Sequence, residues 1–244
     1  MRMVATVPTG GTTMPATAEL GAGGLGGRQA LLRLMAWLSP AFPVGGFSYS
    51  AGFESAVVER HVVDGDAVEA WLQMLMSDGG LRNDAILLSE AHRCQSEGRA
   101  LNDLIALATA LAGSAERHAE ITRLGEAFVK AAAAWSHPVI HALAGPVPYS
   151  VAVGAVASAH GVGRSDALAA FLHAQVSQYL SVAIRLGVIG QTRGVAILAA
   201  SESRILDAAS RYSELGLDDL GSATVIADTL SMRHETQYSR LFQS

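Results

Sequence analysis

Asp64-Gly65-Asp66-Ala67-Val68-Glu69-Ala70-Trp71-Leu72-Gln73-Met74-Leu75-Met76 is the stretch that decides the fold. Asp64 offers its side chain as an N-cap. Val68, Trp71, Leu72, Leu75 and Met76 then recur at i, i+3, i+4, i+7 and i+8, the spacing of one buried helical face. The same period continues along the chain. Leu101, Leu104, Ile105, Ala108 and Leu111 repeat it, as do Ile121, Leu124, Phe128, Ala132 and Trp135. Ser165 can cap a long helix carrying Leu168, Phe171, Leu172, Gln175, Tyr179, Ala183 and Leu186. Another helix holds Ile197, Leu198, Ile205 and Leu206, and a short one falls near Thr224–Met232, capped around Ser222. No run of alternating β-branched residues flanks an Asn-Gly or Asp-Gly turn, so strand signals are scarce. The expectation is an all-α fold: a single helical-bundle domain of about ten helices over residues 28–232.

Composition agrees with one such domain. A chain of 244 residues, half of them apolar, can bury a full core. Its net charge of −5 and lack of a basic block argue against a nucleic-acid partner. The single cysteine, Cys94, excludes an internal disulfide and gives no reason to expect an oxidising compartment, so a cytoplasmic location is expected. Val139–Gly161 is apolar enough to raise the question of a membrane. Pro146, Pro148, His141 and His160 interrupt it, and its small residues after Tyr149 suit a tightly packed central helix better than a span. No membrane association is expected.

Catalytic constellations are missing. Lys130 is the chain's one lysine, with no glycine loop before it and no Ser/Thr after it, which excludes a conventional P-loop. Gly21, Gly23 and Gly26 match G-x-G-x-x-G, but no strand precedes them, and a dinucleotide site requires one. Residues 1–27 read instead as a flexible Gly/Thr-rich leader. Ser48 in Gly46-Phe47-Ser48-Tyr49-Ser50 lacks the second glycine and the preceding strand of a nucleophile elbow. His137 and His141 stand four apart, yet Pro138 replaces the glutamate that a zincin motif places there. A small helical-bundle metalloenzyme using these two histidines and a carboxylate such as Glu126 is the alternative function. No cofactor is implied.

Two peptides stand out from this background. Pro40-Ala41-Phe42-Pro43-Val44-Gly45-Gly46-Phe47-Ser48-Tyr49-Ser50 combines fixed and free backbone torsions, which makes a shaped loop. Glu54 follows it with no basic residue within a helical turn, an acid free to serve an external partner. The chain ends on Arg233-His234-Glu235-Thr236-Gln237-Tyr238-Ser239-Arg240-Leu241-Phe242, whose aromatic and arginine content is that of an interface anchor rather than a solvated tail. Residues 233–244 therefore read as an interaction tail, mobile alone and ordered when bound.

The two peptides, with the internal Arg185-Leu186-Gly187-Val188-Ile189-Gly190-Gln191, resemble the UreF family of urease accessory proteins from about Arg28 to Ser244. The resemblance implies a non-catalytic chaperone that forms a homodimer and binds UreD (UreH in some systems). It would recruit the nickel-carrying GTPase UreG and so deliver nickel to apo-urease. Carried over by position, the partner-binding residues would be Pro43, Gly45, Gly46, Ser48, Tyr49, Ser50 and Glu54 in the loop. Arg185 and Gln191 would supply the internal element, and Arg233 to Phe242 the surface for UreD. The helix from Ser165 to Leu186, with Gln175, Gln178 and Tyr179 amid apolar neighbours, suits a dimer interface.

Overall fold

A computed structural model describes residues 25–244; nearly all of the Gly/Thr-rich leader, with Gly21 and Gly23 of the glycine match, lies outside them. Twelve α-helices and two single 3₁₀ turns are present, and no strand occurs among the described residues. The helices are α1 (Leu25–Trp37), α2 (Phe53–Val58), α3 (Gly65–Asp78), α4 (Gly80–Ser96), α5 (Asn102–Ala110) and α6 (Ala115–Ala132). They continue as α7 (Val139–Ala142), α8 (Tyr149–Ala159), α9 (Arg164–Arg185), α10 (Gln191–Ala200), α11 (Glu202–Glu214) and α12 (Val225–His234). The all-α reading holds. The excess over ten comes from short pieces such as the four-residue α7, too short for a periodic signal.

Local chemistry sets several boundaries. Asp64 caps α3 as expected, its Oδ1 accepting from the Ala67 amide at 2.9 Å. Ser114 does the same for α6, accepting from Arg117 at 3.0 Å. The expected cap at Ser165 is corrected: α9 begins at Arg164 behind an extended Gly163. For α12 the N-cap position is Thr224 rather than Ser222.

The core is organised around α8. Every residue from Tyr149 to Ala157 is buried, and α4, α6 and α9 pack around it. Its small side chains are what permit this. A Cβ on Gly154 would overlap the Leu88 carbonyl of α4, and one on Gly125 of α6 would overlap the Val147 carbonyl. Trp37 packs edge-on against Phe128 and Trp135, which draws the end of α1 to this core. One helix, Arg164–Arg185, is long and apolar enough to cross a membrane by length and composition, but half of that stretch is buried against α4, α8, α10 and α11.

Two of the polar residues of α9 turn inward. Tyr179 is buried, and Gln178 donates from Nε2 to the carbonyls of Gly46 at 2.6 Å and Tyr49 at 3.3 Å. These two side chains face their own chain.

Candidate functional site

The loop and the tail, far apart in sequence, close on each other. After Pro43 the chain makes a 3₁₀ turn at Gly46–Ser48 and then reverses through Ala51 (φ 49°) and Gly52 (φ 79°) into α2. At Gly52 the left-handed backbone favours glycine, and space demands it as well, since a Cβ there would stand 2.7 Å from the Ser231 Cα of α12. This reversal delivers Glu54 to the interior at the first turn of α2, where it is only 3% exposed.

Three donors from the end of the chain converge on the Glu54 carboxylate. The Leu241 amide donates at 2.8 Å, the Phe242 amide at 3.0 Å and His234 Nε2 at 3.1 Å. His234 is fully buried, and its Nδ1 lies 2.6 Å from Glu116 Oε2. Both ring nitrogens therefore meet carboxylate oxygens, an arrangement fully satisfied when both carry hydrogen. Arg240 pairs with the other Glu116 oxygen at 2.5 Å. Glu235 reaches back to the first free amide of α6, accepting from Ala115 at 2.7 Å, where a carboxylate complements the helix dipole.

The last two residues continue the seam. Gln243 donates its amide to the Ser48 carbonyl at 2.8 Å, and the Ser244 carbonyl accepts from the Ser50 amide at 3.0 Å and from the Ser50 hydroxyl. Ser244 Oγ donates to Glu120 at 2.9 Å and accepts from the Ala51 amide at 3.1 Å. Arg185 donates to the Phe47 carbonyl and lies 4.3 Å above the Phe242 ring. Phe242, in turn, is buried.

Two sequence expectations are corrected here. Glu54 is not an acid without a local partner: its partners lie some 180 to 188 residues away in the chain, beyond what sequence neighbours reveal. Nor is the tail free in the isolated chain, because Phe242, His234 and Ser244 are all buried. Of the candidate residues, Tyr49, Ser50, Glu54, His234 and Phe242 are buried, whereas Pro43, Arg185, Arg233, Glu235, Thr236, Tyr238, Ser239, Arg240 and Leu241 are exposed. Gly45, Gly46, Ser48 and Gln237 lie between. Gln237 accepts from Ser55 Oγ at 2.9 Å. Gln191, exposed at the start of α10, makes no hydrogen bond to the loop or the tail among the described residues.

Sequence reasoning did not single out Glu116, Glu120 or Ser244. Behind the seam lies a cleft of about 280 Å³ that Tyr49, Asp84, Arg117, Glu120, Gln175 and Tyr179 help to line. Burial raises the Asp84 carboxyl above its usual range, against the pull of Arg117. Burial also works against the Arg117 charge, but Asp84 and Glu120 outweigh it and keep the guanidinium firmly protonated. Burial, with Glu120 and Asp84 adding to it against the pull of Arg117, sets the Tyr179 phenol well above its ordinary value, so it stays neutral.

No group of three or more His, Cys, Asp or Glu side chains that could hold a metal occurs among the described residues. The metalloenzyme alternative fails on placement. His137 Nδ1 accepts from the Val139 amide at 3.2 Å, while His141 and Glu126 are exposed.

The chain matches the UreF family model over residues 62–202. It is similar to the urease accessory protein UreF of Agrobacterium fabrum, with 57% identity over 218 residues, covering 89% of this chain and 98% of that protein. The urease accessory protein UreF of Rhizobium etli is 56% identical over 216 residues, covering 88% and 97%. That of Mesorhizobium japonicum is 51% identical over 215 residues, covering 88% and 96%.

Proposed function

This chain belongs to the UreF family of urease accessory proteins, and on that premise we propose that it is a scaffold for nickel insertion. As an accessory protein it is not itself the enzyme. In this reading its partners in the cytoplasm are UreD (UreH in some systems), the GTPase UreG and apo-urease. The residue 28–232 body carries the fold, and residues 233–244 present the surface for UreD.

The observation that carries this reading is the division of labour within the tail. Buried Glu54, His234 and Phe242 fix it in place, while Tyr238 and Leu241 stand fully or largely exposed. Apolar and aromatic groups held outward on a rigid backbone bind with little loss of freedom. Glu54 and Tyr49 thus act by shaping the surface rather than by touching the partner. Arg185 and the exposed Phe47 extend the same face toward the site proposed for UreG. The dimer contact is reassigned from α9 to the outer side of α1, where Leu31, Leu32 and Met35 are each more than half exposed on one helical face.

The test is a UreD pull-down with Tyr238→Ala/Leu241→Ala. Both side chains are exposed, so circular dichroism should be unchanged. Loss of two anchors at about 1–2 kcal/mol each should weaken binding tenfold or more. Undiminished binding would remove the tail from the UreD surface.

A further inference from the structure

The turn between α8 and α9, His160-Gly161-Val162-Gly163, is gripped by basic side chains. Arg33 of α1 donates from Nη1 to the His160 carbonyl at 2.9 Å, and His92 Nε2 of α4 meets the Val162 carbonyl at 2.8 Å. The backbone of Trp135 lies near the His160 ring and favours its charged form. The His160 Nε2 is buried and has no hydrogen-bond partner. Beside the ring stand His137, with ring centroids 5.2 Å apart, and Trp37 at 5.4 Å, tilted by 52°.

Titratable and charged groups from several elements face the turn. They are Arg33 from α1, His92 from α4, His137 from the α6–α7 connection, and Arg164 and Asp166 from the start of α9. Beyond Arg164 lies Glu214 of α11, 4.0 Å away and mostly exposed. Cations and potential cations outnumber the carboxylates. A bare Nε2 lone pair tolerates aromatic surroundings, but an N–H⁺ there would be a buried donor without an acceptor, beside a guanidinium.

For its length, α1 is lightly held. Among its described side chains only Leu34 and Trp37 are buried, and Arg33 supplies the polar anchor on the turn. We propose that this turn is an acid-sensitive latch: α1 is seated while His160 is neutral, and is released reversibly when His160 takes up a proton.

The sign follows from burial. Burial first, then Arg33 and His137, lowers the His160 value from its ordinary 6.5. Burial likewise lowers His92, and Arg164 adds to it against the bond to Val162. Groups harder to protonate in the folded chain contribute fully above pH 6.5, and their contribution is lost as pH falls below it through the folded values.

Hydrogen exchange on the full chain at pH 7.5 and 5.5, corrected for the intrinsic pH dependence of exchange, tests the latch. The α1 amides should lose at least tenfold in protection at pH 5.5 and regain it on return, while α8 and α9 keep theirs. His160→Asn retains a side-chain donor but cannot titrate, and should at least halve the response on a logarithmic scale. Equal α1 protection at both pH values, simultaneous loss in α8 and α9, or an undiminished response in His160→Asn would each overturn the proposal. Should that variant not fold, Arg33→Gln takes its place. It should leave α1 unprotected at both pH values, and a response like that of the unaltered chain would refute the latch.

Discussion

Replacing Glu54 with alanine removes the carboxylate on which the Leu241 amide, the Phe242 amide and His234 Nε2 converge. Each buried donor left without an acceptor costs about 1–3 kcal/mol, so three would cost several if the tail stayed in place. It need not stay. The tail can leave, hydrate its amides and give up its own docking energy instead. That energy has a ceiling. Burial of Phe242 contributes about 1.5–3 kcal/mol and each hydrogen bond about 1 kcal/mol net. The entropy of ordering the tail offsets most of these gains. Glu54→Ala should therefore undock residues 235–244 and lower stability by about 2–3 kcal/mol, or about 4–12 °C in Tm for a domain of this size. Hydrogen exchange at Leu241, Phe242 and Gln243 and trypsin cleavage after Arg240 read the undocking, and calorimetry reads the rest. Glu54→Gln keeps one acceptor oxygen and should fall between. Tail amides as protected as in the unaltered chain would refute the reasoning. A chain that unfolds outright would show Glu54 to be part of the global core.

Gly154→Ala forces a methyl group into the Leu88 carbonyl where α4 crosses α8; overpacking of this kind costs about 3 kcal/mol, read as a urea midpoint shift at unchanged m-value. Leu32→Glu with Met35→Glu places two charges on the exposed side of α1, so the chain should keep its helicity while light scattering shows the proposed dimer dissociating. A dimer of unchanged stability would place the contact on another face.

The helices were legible because each is decided locally. The stripe from Val68 to Met76 and the cap at Asp64 lie within one window, and α3 buries Val68, Leu72, Leu75 and Met76. The cap of α9 was misplaced for an equally local reason. A glycine with an extended backbone precedes the helix, and glycine carries no side-chain signal to compete with Ser165. Non-local pairing was not legible. Glu54 reads as unpartnered because sequence shows only its neighbours, while its donors arrive from the far end of the chain. His160 reads as isolated for the same reason, although Arg33 lies 127 residues before it and bonds its carbonyl. Small residues after Tyr149 did announce a close-packed helix, since side-chain size is itself a record of how near a neighbour can come.

The seam also fixes what a partner at either peptide would sense. The Ser48 carbonyl and the Ser50 amide are satisfied by Gln243 and Ser244, and Arg185 holds both the Phe47 carbonyl and the Phe242 ring. Lifting the tail leaves those loop groups without partners, and distorting the loop removes the acceptors that hold the tail. A ligand that prefers the docked tail must then stabilise the loop conformation by the same free energy. The consequence can be measured in the chain alone. Glu54→Ala should raise exchange at the Ser50 and Ala51 amides together with those of Leu241 and Phe242. If the tail amides are exposed while Ser50 and Ala51 keep their protection, loop and tail are independent and the coupling does not exist.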